Sequence, residues 1–459
     1  MTMMEEQTKN SPPPTQEDPI PLEKEADKFS LSGATLYGIN AVIGSGIFLL
    51  PQTIYKDLGP ASLLAIVFDV ILVLLLAVCF AEVATRFDKN GGAFQYSKAA
   101  FGDFFGFIVG LLGWAVTIMA WAAMAAGFAK LLIMAFPSLE GKNVWISCAL
   151  VIALSIINSM GIKTSKIFTI TITIAKLIPI ILFACCTLFF LKGGFDAGNF
   201  TPFVRLPEGM TISKGIASTS MTIFYAFIGF EALPIVAGEM RDAKKNVPKA
   251  IVGSISIVSI LYFLIIAGTI AMLGVGILQS NAPVQDALRE MIGPVGSWIV
   301  SIGALISILG LNMGDSLMIP RLGASIADEG LLPAAFARKN KKGAPIVAII
   351  VSGILTILLL MSGTFEQLAD LSVVFRFLQY IPTALAVIVL RRKEKQFKGS
   401  FRLPFGSTIP ILATVVSVWM LFMGANRMSL VALVVGVVLS AIMYFIMNKS
   451  YKREQSNLN

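Results

Sequence analysis

Long apolar runs separated by short polar connections dominate the pattern of the chain. A helix needs about 20 apolar residues to cross a bilayer, and twelve runs can supply them. They lie at about 31–55, 60–84, 101–135, 144–160, 167–191, 214–238, 250–274, 296–320, 345–361, 367–390, 408–424 and 429–447. Inside lipid, backbone groups must bond within their own segment, which favours helices. The pattern therefore predicts an all-α polytopic membrane protein with twelve transmembrane helices.

Composition agrees with this class of protein. Hydrophobic residues make up 56% of the chain, charged residues only 14%, and the mean hydropathy is +0.81. An ordinary soluble domain carries about 25% charged residues. The apolar excess therefore indicates lipid as the solvent and the bilayer as a partner of the chain.

The distribution of Lys and Arg predicts the orientation. With the N-terminus inside, the predicted cytoplasmic segments carry 26 of these residues and the outer loops carry 7. Positive charge accumulates on the cytoplasmic side of membrane proteins. Both termini are thus expected in the cytoplasm, and the net charge of +9 reflects topology and not nucleic-acid binding.

The two ends of the chain read as tails. Residues 1–28 contain three consecutive prolines and seven acidic residues, and they lack the basic start and short apolar core of a signal peptide. We interpret them as a disordered cytoplasmic tail, and 449–459 as a second cytoplasmic tail. The favoured location is a bacterial cell membrane.

Metal chemistry and catalysis are poorly supported. The chain has no histidine, which removes the commonest metal ligand and general base. Its four cysteines all fall inside apolar runs, where they read as small hydrophobic residues. We therefore predict no metal, no cofactor and no enzymatic activity.

Two apolar runs contain residues that break helices. The first carries Gly44-Ser45-Gly46 followed by Pro51, and the sixth carries Glu231 between Gly229 and Pro234. Inside a helix, glycine costs about 1 kcal/mol relative to alanine and proline about 3 kcal/mol. Transporters use paired breaks of this kind, in matching positions of two halves, to present helix ends to a substrate.

The paired breaks predict two five-helix repeats, inverted because each holds an odd number of helices. The predicted organisation is repeat 1 at 29–192, an extracellular loop at 193–213, repeat 2 at 214–391, and two appended helices at 392–448.

Four stretches resemble the amino acid permeases of the amino acid/polyamine/organocation superfamily. In chain order they are IGSGIFLLP, AEVATRFDKNGGAFQYSKAAFGDFFGF, FYAFIGFEALPIVAGEMRDAKKNVPKAI and ASIADEGLLPAAFARKNKKGAP. The resemblance runs from about residue 30 to 447 and implies a leucine-transporter-like fold with helices 1 and 6 broken. The sequence departs from this resemblance at Asp88, where many members of the family carry proline.

The resemblance implies where an amino acid substrate binds. The backbone N–H groups at the first break hold the substrate carboxylate, and carbonyl groups at the second break hold its amino group. The corresponding residues are Gly44, Ser45 and Gly46 at the first break and Tyr225, Ala226 and Ile228 at the second. Free N–H groups at a helix start suit an anion.

Three further positions are candidates for reading the substrate side chain. The resemblance places Trp121 and Asp315 at substrate-lining positions, and Arg376 on an adjacent wall. Trp121 equally suits a lipid-facing or core position. Asp315 and Arg376 equally suit a structural salt bridge, because buried charges need a partner.

Two charged residues are candidates for coupling and gating. Lys176 lies about 15 Å into the fifth span, where similar sodium-independent permeases carry a lysine in place of a sodium ion. It could carry a proton or provide a fixed charge for exchange. Glu231 follows the second break. It either couples substrate binding to closure of the transporter or forms hydrogen bonds with the loosened backbone.

Two other charged residues have expected structural roles. Glu82 is expected to form a salt bridge to basic loop residues, and the Lys130 side chain is expected to extend to the outer membrane interface.

The leading functional hypothesis is a sodium-independent amino acid permease or exchanger that works by alternating access. An amino acid/amine antiporter is the alternative, and a membrane amino acid sensor is an alternative from another class. The sequence leaves open the substrate side chain, proton coupling and the oligomeric state.

Overall fold

The computed structural model describes residues 29–87, 92–160, 166–235, 240–328, 330, 332–394 and 401–458. Apart from one isolated bridge between Phe29 and Met240, every regular element in these ranges is helical. The α-helices are α1 (Leu31–Val42), α2 (Gly46–Leu49), α3 (Pro51–Leu58), α4 (Ser62–Ala84), α5 (Ala93–Phe101), α6 (Asp103–Ala135), α7 (Asn143–Ser159), α8 (Lys166–Asp196), α9 (Ile212–Phe227), α10 (Ala232–Ile235), α11 (Ala243–Leu273), α12 (Pro283–Ile292), α13 (Pro294–Asp328), α14 (Ile346–Ser362), α15 (Phe365–Lys393), α16 (Thr408–Gly424) and α17 (Arg427–Leu458).

The helices identify a polytopic membrane protein. Within the described ranges, seven helical stretches are long and apolar enough to cross a membrane, and α7, α14 and α16 are shorter apolar helices. Each of the twelve predicted runs contains helix. The all-α class is confirmed, whereas the count of twelve crossings, the inverted repeat and the domain limits remain predictions. The tail at 1–28 and Asp88 lie outside the described residues.

The structure adds two helices that the apolar pattern does not predict. α5 and α12 lie in connections, and each ends at a glycine with positive φ, Gly102 at 91° and Gly293 at 81°. Both are short helices with charged residues on their surface. A search for 20-residue apolar runs passes over such helices because their apolar residues occupy only one face.

The predicted breaks in the first and sixth runs are present. α1 ends at Val42, Ile43 is extended, and the helix resumes as α2 at Gly46. α9 ends at Phe227, and a turn at 228–231 separates it from α10. The two breaks therefore leave backbone groups without helical partners inside an apolar bundle.

Two glycines allow the broken helices to approach each other closely. Gly229 has a φ of 125°, and a Cβ added there would lie 2.1 Å from the carbonyl oxygen of Ala41. A Cβ at Gly46 would lie 2.9 Å from the Cα of Ala226. Backbone thus packs on backbone at both breaks, which only glycine permits.

Gly229→Ala should destabilise the fold by at least about 1–3 kcal/mol, the cost of strained backbone, because the added methyl group also meets Ala41. The measurement is thermal unfolding of the detergent-solubilised protein. Gly314→Ala is the matched control, since that helical glycine has no atom within 4 Å of an added Cβ. Equal unfolding temperatures for the two variants would contradict the close approach.

Candidate functional site

Lys176 satisfies the carbonyl groups that the first break frees. Its side chain extends from α8, is fully buried, and its Nζ donates to the carbonyl oxygens of Asn40 and Ile43, each at 2.7 Å. The hydroxyl of Ser307 on α13 also donates to Ile43, at 3.4 Å. The ammonium group therefore stabilises the unwound segment from within the bundle, since unbonded carbonyls in an apolar interior are costly.

Tyr262 connects the two breaks. Its hydroxyl on α11 lies 3.1 Å from the carbonyl oxygen of Ala226 and 3.4 Å from that of Val42. Because one hydroxyl donates one hydrogen at a time, it can alternate between the two carbonyl groups. The sequence analysis misses this residue, since a tyrosine in an apolar run is common.

The N–H groups at the first break have fewer hydrogen-bond partners than its carbonyl groups. Among the described residues, no acceptor is bonded to the N–H groups of Ser45, Gly46 and Ile47. The Ser45 hydroxyl shares a 3.1 Å hydrogen bond with the Tyr225 hydroxyl. Both side chains are buried, so the segment presents polar groups to the interior of the bundle.

The two predicted site glycines have different surroundings. A Cβ at Gly44 would meet the flexible ends of Met124 and Leu311, at 2.7 and 2.9 Å. A Cβ at Gly46 would instead meet the backbone of Ala226. Gly46 therefore serves close helix packing, whereas Gly44 faces side chains that can move.

Glu231 holds the turn after α9 in place. Its carboxylate accepts from the Gly229 N–H at 3.1 Å and from the Tyr380 hydroxyl at 2.9 Å. It also forms a 3.0 Å ion pair with Arg376 on α15. The second break is thus fixed to α15 through one acidic side chain.

The hypothesis of a salt bridge between Asp315 and Arg376 is wrong. Arg376 pairs with Glu231, and within the described residues Asp315 has no ion-pair partner. The reason is that the turn after α9 directs Glu231 towards α15. Asp315 still lies close enough to Arg376 and Glu231 to interact electrostatically with both.

Trp121 belongs to the interior of the bundle. Its side chain on α6 is 1% exposed, which rules out the lipid-facing alternative. Its indole Nε1 has no hydrogen-bond partner among the described residues. It lies one helical turn from Met124, which contacts the first break, so the predicted site residues Trp121 and Gly44 lie in the same region.

Ion pairs join helices at both ends of the bundle. Glu82 accepts from Arg86 at 2.7 Å and pairs with Arg391, which confirms the predicted bridge to basic residues. Lys130 does not simply extend to an interface. It pairs with Glu366 on α15 at 2.5 Å, because the start of α15 lies beside the end of α6.

Comparison with known proteins places the chain in a family. The model of the amino acid permease family matches residues 29–447. The chain belongs to the amino acid permease family. It is therefore a transporter of the amino acid/polyamine/organocation superfamily and not an enzyme.

Curated relatives of this family member cover nearly the whole chain. It is 27% identical to the methylthioribose transporter of Bacillus subtilis over 452 residues, 93% of each chain. It is 29% identical to a serine/threonine exchanger of the same organism over 389 residues, 82% of this chain and 86% of the relative. It is 26% identical to a branched-chain amino acid permease, also of that organism, over 95% of each chain.

Glu231→Gln and Arg376→Gln should each lower the stability of the permease by about 3–5 kcal/mol, because each leaves one buried charge without its partner. The double variant should recover part of that loss. A double-mutant cycle on thermal unfolding in detergent measures the coupling. Additive losses would show that the two side chains do not stabilise each other.

Proposed function

We propose that the protein is a sodium-independent secondary transporter that moves amino acids across the cell membrane by alternating access. In this proposal both termini are cytoplasmic, twelve helices cross the membrane, and spans 1–5 and 6–10 form an inverted repeat. The family and the two interrupted helices that meet in the interior of the bundle support it. Interrupted helices at membrane depth are tolerated where they line a cavity or are buried in protein.

The observation that carries sodium independence is the position of the Lys176 ammonium group. It bonds two carbonyl oxygens that the first break frees. Carbonyl oxygens of unwound helices are the ligands that sodium-coupled carriers offer to the ion. A fixed ammonium in that place supplies the same positive charge without a cation from solution.

The proposed substrate contacts follow the two breaks. The N–H groups of Gly44, Ser45 and Gly46 would hold a carboxylate, which suits the N–H groups of Ser45 and Gly46 that lack an acceptor among the described residues. The backbone carbonyl groups of the second break would hold an amino group, and the residues concerned are Tyr225, Ala226 and Ile228. The Tyr225 hydroxyl is hydrogen-bonded to the Ser45 hydroxyl. It would change its hydrogen-bond partner as the substrate enters.

In this proposal, residues around the two breaks provide substrate selectivity and gating. Trp121, Asp315 and Arg376 would line the part of the pocket that receives the substrate side chain. Glu231 would couple substrate binding to movement of the second break, since it bonds both the turn and α15. Asp315, which has no ion-pair partner in the described ranges, favours substrates with a polar or cationic group.

The relatives differ in what their names say they carry. Two are named for amino acids, serine/threonine and branched-chain, and one is named for methylthioribose. Methylthioribose, a sugar derivative, has no carboxylate for the first break to bind. An amino acid/amine antiporter remains the alternative because of Asp315, and a sensor is the alternative from a different class.

Transport should not need sodium. Purified protein in proteoliposomes should take up a labelled amino acid at the same initial rate when choline chloride replaces NaCl. Lys176→Ala should abolish this uptake, because it removes the charge and both hydrogen bonds at the first break. A large loss of rate in choline would contradict the role of Lys176, and binding without accumulation would indicate a sensor.

Competition against one transported label tests carboxylate binding at the first break. The amide and the decarboxylated amine of the best substrate should compete about tenfold more weakly or worse, because a hydrogen bond to a charged group is worth about 1.5–3 kcal/mol. Methylthioribose should also compete weakly. An amine that competes as well as its parent amino acid would favour the amino acid/amine antiporter.

A further inference from the structure

One acidic side chain in the bundle has no part in the site described above. Asp69 lies in α4, seven residues after its start, and is fully buried. Neither of its carboxyl oxygens has a hydrogen-bond partner among the described residues. A charged residue at membrane depth normally faces a partner, so this carboxyl group requires an explanation.

The polar neighbour of Asp69 is an uncharged hydroxyl group. The Ser220 hydroxyl on α9 lies close enough to interact with the carboxyl group, although no hydrogen bond of good geometry joins them. The hydroxyls of Thr219 and Ser220 are both buried, and neither has a hydrogen-bond partner among the described residues. We call this region between α4, α9 and α16 the Asp69 pocket.

α16 packs against α4 next to Asp69. The ring of Phe68, next to Asp69, packs on the ring of Trp419 with centroids 5.7 Å apart. Ser417, two residues before Trp419, is fully buried, and in the described part of the chain its hydroxyl has no hydrogen-bond partner. The Ser220 hydroxyl and the packed ring of Trp419 therefore place α9 and α16 beside the part of α4 that carries Asp69.

Charged and titratable groups on the neighbouring helices are engaged elsewhere or lie near helix ends. Within the described ranges, α4 packs on α3, α9, α10, α11, α15 and α16, and α10 and α16 carry no charged residue. Among the side chains that the structure describes, the others carry Tyr55, Lys56 and Asp57 on α3; Lys214 and Tyr225 on α9; Lys245, Lys249 and Tyr262 on α11; and Glu366, Asp370, Arg376, Tyr380, Arg391, Arg392 and Lys393 on α15. None of them forms an ion pair with Asp69.

A carboxylate in such a place is strongly disfavoured as an ion. An isolated charge in an apolar interior neutralises because the cost of burying it is far larger than the cost of binding a proton. The neutral acid needs only one acceptor for its O–H, and a hydroxyl such as that of Ser220 can provide it. The closed arrangement of α4, α9 and α16 therefore suits the protonated form of Asp69.

The Asp69 pocket is connected to the part of the molecule that alternating access would move. Ser220 lies seven residues before the end of α9, which leads directly into the second break. Movement of α9 against α4 would admit water to the pocket, and water stabilises the carboxylate. The protonation state of Asp69 and the position of α9 are thus linked.

We propose that Asp69 is the proton-carrying group of the transport cycle. The carboxylate takes a proton from water on one side of the membrane, is buried as the neutral acid when α4, α9 and α16 close, and releases that proton to water on the other side. This inference rests on the proposed transport function and adds proton coupling to it.

The test compares the wild type and Asp69→Asn in proteoliposomes with labelled serine and labelled leucine. Two readouts are needed: accumulation driven by an inward pH gradient, and exchange with the same pH on both sides. A gradient of one pH unit, about 1.4 kcal/mol, can raise the accumulation ratio about tenfold for one proton per substrate. The wild type should show such a rise, whereas Asp69→Asn should keep exchange and lose the rise.

Asp370→Asn is the matched control. Asp370 is another carboxyl group in a long apolar helix, but its Oδ2 is bonded to the Ser429 hydroxyl at 2.6 Å. Its replacement should leave the response to the pH gradient unchanged. Gradient-driven accumulation by Asp69→Asn equal to that of the wild type would overturn the proposal, as would stimulation of wild-type exchange by Na⁺ or K⁺ that Asp69→Asn abolishes.

Two further results separate the hypotheses. Wild-type exchange without any response to the pH gradient would overturn proton carriage alone, whereas a wild type that neither exchanges nor accumulates would overturn the transport function as well.

If Asp69→Asn fails to fold, infrared spectra of the wild type should show the C=O band of a protonated carboxylic acid. Asp69→Glu should shift that band, and a spectrum without it would overturn the proposal.

Discussion

Satisfying the backbone groups of two interrupted helices inside an apolar bundle is the constraint on which the rest of the structure depends. A carbonyl group without a partner in such an interior costs several kcal/mol, so each interruption needs donors from neighbouring helices. Lys176 supplies them to Asn40 and Ile43, and Tyr262 supplies one to Ala226 or Val42. The burial of Lys176 on α8 and of Tyr262 on α11 is therefore a consequence of the breaks.

The sequence predicts those features that depend on local chemistry. Glycine and proline reveal the breaks, and the depth of Lys176 in its apolar run reveals an unusual buried charge. The partner of Arg376 is not predictable in this way, because Glu231 and Asp315 are both acidic and distant in sequence, and only the turn after α9 selects Glu231. Asp69 is an acidic residue inside an apolar run, but the sequence analysis does not identify it, because its lack of a partner is a property of the packed helices.

The acidic residues of the interior differ in what balances them. Glu231 is balanced by Arg376 and holds a backbone N–H, so its charge serves the geometry of the second break. Asp315 has no ion-pair partner among the described residues, yet it lies in the electrostatic range of the same arginine. Asp69 has no hydrogen-bond or ion-pair partner among the described residues, and the Ser220 hydroxyl is its polar neighbour. This gradation separates a structural carboxylate from two that a ligand or a proton can still neutralise.

The ion pairs at the two ends of the bundle are unequal. The Lys130 and Glu366 side chains are 34% and 40% exposed, and an exposed pair contributes little to stability. Glu82 is fully buried, and Arg86, Arg391 and the Leu403 N–H all donate to it. Desolvation cancels much of the attraction within such a buried group, so its free energy differs little from that of the separated, hydrated charges. The network therefore fixes how α4 and α15 fit together without holding them irreversibly, which is what a joint between helices requires in the alternating-access cycle proposed above.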